Sequence, residues 1–263
     1  SFRTAMPMRT LFALPVALFI AGGTLQAQTT PTSVTIHVVA NDAKLLHDGV
    51  GGARITLTDA ATGRVLAEGV QGGSSGDTRR IMLEPRKRGE AVFDTPGAAR
   101  FTASLALERP TLVTITAEGP VDGPAPVRRA SSTLWLVPGH DITGDGVVLV
   151  IDGLLLKVQA PSGTVAAGTI PVQTTVQMAC GCPIEPGGIW DANRIRVTAR
   201  LLQDGRPVAE VPLTYAGTQN HFQGEFTGIG AGRYQLEVVS VEAGTPNAGV
   251  VREELIVGGK GGM

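Results

Sequence analysis

The stretch ARITLTDAATGRVLAEGV, residues 53–70, alternates apolar and polar side chains on both sides of a short interruption. Ile55 and Leu57 point to one side of an extended chain, and the threonines that follow each of them point to the other. The Thr62-Gly63 pair interrupts this alternation with residues that favour a turn. The stretch therefore predicts a β-hairpin with one buried face.

Similar short runs recur along the chain, and its 35 glycines and 17 prolines supply the turn signals that separate them. Further strands are predicted at SVTIHVV (33–39), EAVFDTP (90–96), TLVTITAEG (111–119) and STLWLVP (132–138). No long segment shows the 3.6-residue period of a helix. We therefore predict an all-β protein, with no helix longer than about three turns after the N-terminal segment.

The N-terminal residues have the layout of a secretory signal peptide. Arg9 supplies positive charge, the apolar run LFALPVALFIAGG follows, and Ala27 is a small residue suited to cleavage. The run is shorter than the roughly 20 residues that a membrane-spanning helix needs. We predict that residues 1–27 are a signal peptide, that the protein is secreted or periplasmic, and that the mature chain has no transmembrane segment. An uncleaved N-terminal anchor is the alternative.

The charge of the mature chain argues against some classes of partner. Removing residues 1–27 takes away Arg3 and Arg9, which lowers the basic count from 22 to 20 against 23 acidic residues, for a net charge of −3. A slightly acidic chain is a poor partner for nucleic acid or anionic lipid. Two cysteines are also too few for a disulfide framework.

Residues 32–138 resemble the carboxypeptidase-regulatory-like group of β-sandwiches. The segments that carry this resemblance are GVGGARITLTDAATGRVLAEGV, GEAVFDTP and PTLVTITAEGP. The insert QGGSSGDTRRIMLEPRKRGE departs from that pattern. Its five basic residues are Arg79, Arg80, Arg86, Lys87 and Arg88. We interpret the insert as a solvated loop, with an anion-binding loop as the alternative.

Residues 158–257 resemble bacterial immunoglobulin-like or fibronectin-like domains. RIRVTARLLQDGRPVAEVPLTY predicts a hairpin turned at Asp204-Gly205, and GRYQLEV has the form of a tyrosine corner at Tyr234. The resemblance implies two antiparallel, Ig-like β-sandwich domains in tandem, followed by a Gly-rich tail at 258–263.

The segment 139–157, predicted as the linker between the two domains, carries an acidic motif. An EF-hand-type calcium loop over 141–152 would draw its oxygens from Asp141, Thr143, Asp145, the carbonyl of Val147, and Asp152. The run through DGLLLKV resembles one calcium repeat of a dockerin, which implies a calcium-dependent scaffold component. The alternative is a β-turn at Gly144-Asp145-Gly146 that joins two buried strands.

Both cysteines lie in VQMACGCPIEPGG, residues 176–188. If 172–182 is a strand, one apolar face carries Val172, Thr174, Val176, Met178, Cys180 and Cys182. Three alternatives follow. Cys180 and Cys182 form a disulfide, with Gly181 departing from strand geometry; or Met178, Cys180 and Cys182 bind Cu(I), with His221 as a further ligand; or the thiols are core residues. The disulfide that joins strands B and F in antibody domains is excluded. Its second cysteine would lie two residues after Tyr234, where this chain has Leu236.

The sequence offers no catalytic constellation. Its four histidines, His37, His47, His140 and His221, are scattered, and it contains no G-x-S-x-G, H-E-x-x-H or phosphate-loop motif. We therefore predict a non-enzymatic binding, adhesion or assembly module of the bacterial cell envelope, with a protein or surface glycan as partner. A periplasmic copper-binding protein and a calcium-dependent scaffold component are the alternatives.

Overall fold

The computed structural model describes residues 30–124, 127–159 and 164–259. The predicted signal peptide and residues 260–263 of the predicted tail lie outside these ranges. Within them the chain forms fifteen strands and three helical turns, none longer than the five residues of Arg79–Leu83. The prediction of an all-β protein is confirmed. No helix in the described ranges has the length and apolar character needed to cross a membrane.

The first seven strands form two sheets. They are β1 Thr30–Ala40, β2 Ala53–Asp59, β3 Val65–Gln71, β4 Phe101–Leu107, β5 Thr111–Gly119, β6 Arg128–Leu136 and β7 Ile142–Ile151. One sheet has the order β4-β1-β7, with β1 and β7 parallel, and the other has the order β3-β2-β5-β6. The opening hairpin is β2 and β3, as predicted from its alternation.

Alternation along these strands places one face of each sheet in a shared core. In β5, Val113, Ile115 and Ala117 are fully buried, while the threonines between them are half-buried on the other face. In β1, Ile36 and Val38 enter the same core cluster. The first half of the chain is therefore a β-sandwich, with a three-stranded and a four-stranded sheet facing each other.

The remaining strands form a single eight-stranded sheet with the order β8-β10-β13-β12-β11-β14-β15-β9. They are β8 Leu154–Gln159, β9 Thr164–Ala166, β10 Gly168–Met178, β11 Ile195–Gln203, β12 Arg206–Tyr215, β13 His221–Ile229, β14 Gly232–Glu242 and β15 Ala248–Gly258. β12 pairs with β11 along most of its length and with β13 only at Thr214 and Tyr215. The predicted turn at Asp204-Gly205 joins β11 to β12, and both residues have positive φ angles.

Two sequence predictions in the first half are wrong. The segment predicted as a linker, 139–157, contains β7, which pairs with β1 along 142–151, and the first residues of β8. Sheet membership changes at Asp152-Gly153 instead. EAVFDTP (90–96) is not a strand, because its backbone amides turn toward the side chain of Asp145 rather than toward a neighbouring strand.

Polar contacts join the two halves. The indole N–H of Trp190 donates to the carbonyl of Asp42 at 3.0 Å. The side-chain amide of Asn247 donates to the carbonyl of Asn41 at 3.1 Å and accepts from the backbone N–H of Gly153 at 2.9 Å. Because Asn247 is almost fully buried, these bonds satisfy an amide that would otherwise be costly to bury.

Candidate functional site

The insert between β3 and β4 forms a cap over the outer face of the three-stranded sheet. This cap, residues 72–100, contributes apolar side chains to a second, smaller core that lies apart from the sandwich core. The members of that smaller core are Val39, Leu45, Ile81, Val92, Phe93, Ala98 and Ala99. Within the insert that the sequence predicts as a solvated loop, residues 71–90, Ile81 joins this smaller core, whereas the five basic residues and Leu83 are exposed.

A cleft of about 740 Å³ opens between the cap and this face of the sheet. Its volume falls within the range of small-molecule sites in proteins. One wall comes from the sheet, where Val39, Val148 and Val150 lie side by side because β1 and β7 pair in that register. The other comes from the cap, through Met82 and Phe93 among others. The sheet and its cap thus define a cleft whose lining is partly apolar and partly polar.

Charged residues of the cap line the mouth of the cleft. The guanidinium of Arg86 lies 5.3 Å from the ring centre of Phe93, within the range of a cation–π contact. Lys87 faces Glu90 with an N–O distance of 3.7 Å, and both side chains are mostly exposed. An exposed pair at this distance contributes little to stability. These charges are therefore available to a ligand that enters the cleft.

Asp145 fastens the cap to the sheet. Its carboxylate accepts hydrogen bonds from the backbone N–H groups of Val92, Phe93 and Asp94, at 2.7–2.9 Å. Desolvation by burial acts to raise the pKa of Asp145. The three backbone hydrogen bonds and the nearby His37 outweigh it, so the pKa lies below its ordinary value of 3.8. The carboxylate is therefore charged and serves as an anchor.

His37 lies beneath the cap on the same face of the sheet and is fully buried. Its Nδ1 lies 2.9 Å from the carbonyl oxygen of Asp145, and its ring centre is 6.4 Å from that of Phe93. A carbonyl oxygen only accepts, so Nδ1 carries the hydrogen in this contact. Asp145 therefore binds two partners: its carboxylate holds the cap, and its backbone carbonyl holds the side chain of His37.

The structure does not bring the predicted calcium ligands together. The register of β1 with β7 shifts between Ile142 and Val147, so Gly144-Asp145-Gly146 forms an irregularity within one strand rather than a turn between two. The carboxylate of Asp141 accepts from the N–H of Ser33 at 2.7 Å, whereas that of Asp145 faces the cap.

Asp152, the closing position of the predicted calcium loop, is also far from the other predicted ligands. Asp152 lies five residues beyond Val147 in an extended strand, which corresponds to about 16 Å. Thr143 lies in the irregular part of β7 and is exposed. In the described part of the chain, no three His, Cys, Asp or Glu side chains are arranged to hold a metal ion. The arrangement that an EF-hand-type loop requires is not present there.

Cys180 and Cys182 form a disulfide with their Cα atoms 5.4 Å apart. The strand β10 ends at Met178, and Gly181 adopts a φ of +74°, so the chain leaves strand geometry as the disulfide alternative required. Met178 and both cysteines are buried. A bridged sulfur is no longer the thiolate that binds a metal. The copper alternative therefore stays a prediction that concerns the reduced chain alone.

The disulfide turn contacts the first half of the protein. A Cβ at Gly181 would lie 2.8 Å from Cγ1 of Val50. On its other side the turn is held by Asn220, whose side chain accepts from the N–H of Ile184 at 2.7 Å. His221, the predicted fourth copper ligand, directs its Nδ1 to the carbonyl of Gln219 at 2.7 Å. The bridge therefore shapes a turn at the junction of the two halves.

The tyrosine corner is present in the second half. The hydroxyl of Tyr234 donates to the carbonyl of Gly230, four residues upstream, at 3.1 Å. Sequence reasoning missed one strand of the sandwich and one contact of the cap. It overlooked β4, although FTASLAL alternates and buries Ala103, Leu105 and Leu107. It also did not assign Asp145 to the cap, because its three amide partners lie more than 50 residues away.

No protein-family model matches the chain, and no curated protein matches it. Solved structures with similar β-rich folds include a marsupial T cell receptor, with 11% identity and a TM-score of 0.33 over 89% of this chain and 74% of that chain. Fibronectin(III)-like modules of Clostridium thermocellum CbhA match with 12% identity and a TM-score of 0.29, over 88% and 95%. The titin domains z1z2, solved in complex with telethonin, match with 14% identity and a TM-score of 0.26, over 88% and 97%. These similarities assign no function to this chain.

Proposed function

We propose that this protein is a non-enzymatic binding or assembly module that acts at the bacterial cell envelope, after export to the periplasm or the outside of the cell. The predicted signal peptide supports export. The observation that carries the binding role is the cleft between the cap and the three-stranded sheet, whose lining combines apolar side chains with charged ones. Such a combination is typical of sites that bind small molecules.

The geometry favours this proposal over its two metal-dependent alternatives. Copper binding needs thiolates from Cys180 and Cys182, whose sulfurs are bonded to each other. A calcium-dependent scaffold component needs Asp152 beside Asp145, and about 16 Å of extended chain lies between Val147 and Asp152. The cleft needs neither reduced cysteines nor a rearranged acidic segment, because it is already formed in the folded chain.

Two measurements on the expressed chain test the proposal. The first is fractionation of bacterial cells followed by N-terminal sequencing, which is expected to find the protein outside the cytoplasm and starting at Gln28. The second is co-sedimentation of the purified chain with isolated cell envelopes. Reversing the charges at the mouth, by Arg86→Glu with Lys87→Glu, is expected to weaken co-sedimentation by about tenfold, because the cleft loses both cations at its mouth.

A matched double charge reversal, Arg206→Glu with Arg233→Glu, changes the net charge by the same amount at two exposed positions, on β12 and β14, that do not line the cleft. It is expected to leave co-sedimentation unchanged. Recovery of an unprocessed chain from the cytoplasm would contradict the proposal, as would wild-type protein that stays entirely in the supernatant. Equal loss in the Arg206→Glu, Arg233→Glu control would show a bulk charge effect and remove the assignment to the cleft.

A further inference from the structure

The outer face of the four-stranded sheet carries an array of hydroxyl groups. Successive outward positions of β2, β5 and β6 are occupied by threonine or serine. We call this array the hydroxyl face; it consists of Thr56, Thr58, Thr114, Thr116, Ser131 and Thr133. All six residues are half-buried or exposed. The cap covers the opposite sheet, so the hydroxyl face is separate from the cleft.

Strand register arranges these hydroxyls in two rows. Thr58 pairs with Thr114, which pairs with Thr133, and the parallel row is formed by Thr56, Thr116 and Ser131. Neighbours within a row are about 4.8 Å apart, the spacing between strands, and the rows are about 6.7 Å apart, the length of two extended residues. The hydroxyl oxygens of Thr114 and Thr133 lie 2.9 Å apart. The result is a regular grid of donors and acceptors.

Most of this hydrogen-bonding capacity is open to a ligand. Apart from the bond between Thr114 and Thr133, the described part of the chain contains no hydrogen bond from a side chain of the hydroxyl face. Each free hydroxyl can donate one hydrogen bond and accept two. A partner rich in hydroxyl groups can therefore replace the water on this face without leaving polar groups unsatisfied.

An aromatic side chain borders the grid at one end. The next row contains Leu112 and, opposite it on β6, Trp135. Trp135 is 63% exposed, although a tryptophan is usually well buried. It lies on the same face as Thr133 because the two residues are separated by two positions in a strand. The grid is thus continued by a flat, apolar ring that is open to solvent.

The opposite border of the grid is a charged row formed by Arg54, Glu118 and Arg129, and Glu68 of β3 lies beside Thr56, so two positive and two negative charges border the grid. Glu118 lies opposite Arg129 in the register of β5 and β6, and the two side chains form an ion pair with Nε and Oε1 3.0 Å apart. The six positions of the hydroxyl face carry no charge. An uncharged partner therefore matches the face better than a charged one, since it demands no compensating ion.

We propose that the hydroxyl face, together with Trp135, binds a neutral polysaccharide chain. Sugar rings combine hydroxyl groups at their edges with apolar C–H groups on their faces, so the rings can form hydrogen bonds to the grid and stack on the indole. Extended polysaccharides also repeat this chemistry along one direction, as the rows do. This inference rests on the proposed binding function and names the chemical class of its partner.

The test measures retention of the purified chain by microcrystalline cellulose, chitin and amylose, with polygalacturonate as an anionic comparison. We expect at least one neutral polysaccharide to retain the wild-type chain. Trp135→Ala is expected to weaken that binding about tenfold or more, because a stacking residue at the end of the site is lost. The double variant Thr114→Val with Thr133→Val removes hydroxyls while keeping β-branched residues that suit a strand, and is expected to weaken binding several-fold.

Matched controls exclude unfolding and general loss of surface. Leu83 is also 63% exposed, so Leu83→Ala removes a comparably exposed apolar side chain from the cap. Thr198→Val repeats the hydroxyl deletion at a half-buried site on β11. Both are expected to bind as the wild type does. Binding should also protect tryptophan fluorescence from acrylamide, since Trp190 is buried and Trp135 is the accessible one.

Each outcome decides the inference. Retention by a neutral polysaccharide that depends on Trp135 and on the two threonines supports it. Retention by polygalacturonate alone, by no polysaccharide, or equally by wild type and variants overturns it. If the chain still co-sediments with cell envelopes in those cases, the proposed binding function stands and only the polysaccharide is rejected. If envelope binding is absent as well, both fail.

Discussion

Replacing Asp145 by alanine is expected to detach the cap from the three-stranded sheet. The carboxylate of Asp145 accepts from three backbone N–H groups, and two of the residues that supply them, Val92 and Phe93, are buried. After the substitution these N–H groups have no acceptor and are held away from bulk water by the smaller core. The free energy of unfolding should therefore fall.

The size of this effect follows from the number and kind of the bonds. A hydrogen bond to a charged acceptor contributes about 1.5–3 kcal/mol, and an unsatisfied buried donor costs about 1–3 kcal/mol. The three bonds share one carboxylate and are not additive, and the cap can move toward water. We therefore expect Asp145→Ala to destabilise the protein by about 2–4 kcal/mol. Asp145→Asn keeps one acceptor oxygen and should cost less.

Urea unfolding measures this loss, and hydrogen exchange locates it. The amides of Val92, Phe93 and Asp94 should lose protection in Asp145→Ala before the strands of the sandwich do. Asp152→Ala is the matched control, because Asp152 is exposed, and the substitution should change stability by less than about 0.5 kcal/mol. A change below about 0.5 kcal/mol in Asp145→Ala, with normal protection of the cap amides, would refute the assignment of Asp145 as the anchor.

The same carboxylate makes the cap sensitive to acid. The pKa of Asp145 is lowered in the folded chain, so its contribution to stability is fully present above the ordinary value of 3.8. That contribution is lost as the pH falls through the lower, folded-state pKa. The difference in stability between wild type and Asp145→Asn should therefore be constant at neutral pH and shrink below about pH 4.

Two further predictions concern the sulfurs and the acidic segment. Replacing both Cys180 and Cys182 by alanine should lower the free energy of unfolding by about 1.5 kcal/mol, the loop-closure contribution of a three-residue ring; equal stability of the wild type with and without reductant would contradict this. Exchanging chelator for Ca²⁺ should leave the thermal midpoint unchanged, because Asp152 lies far from Asp145. A rise of about 3 °C or more, which corresponds to roughly 1 kcal/mol in a chain of this size, would restore the calcium prediction.

Alternation within single strands made much of the fold predictable. The buried face of β5 follows from the alternation of Val113, Ile115 and Ala117 alone, without reference to any other strand. The hairpin of β11 and β12 follows from the turn chemistry of Asp204-Gly205. These signals are local, so they can be read from the sequence without knowledge of the tertiary structure. The disulfide could likewise be foreseen as one alternative, because a single residue lies between its cysteines along the chain.

The calcium prediction for the acidic segment depended on contacts that are not local in the chain. Spacing along the chain placed Asp141, Asp145 and Asp152 at the positions of a calcium loop, but spacing implies proximity only if the chain curls. Here the chain extends, because Val147 to Ile151 pair with β1. The partners that decide the role of Asp145 are amides of the cap. Nothing in a single sequence shows that residues 92–94 and Asp145 meet.

The two outer faces of the first sandwich differ in polarity, and that difference explains why only one of them is covered. Val39 and Val148 point outward from the three-stranded sheet and would expose apolar surface to water, so the cap is needed to bury them. The outward positions of β2, β5 and β6 are mainly hydroxyl residues, which water solvates without a cap. A sheet face that is stable in water and regular in its spacing needs no partner for folding. The unusual residue on that face is Trp135, whose exposure has no role in packing and is the reason to seek its partner outside the chain.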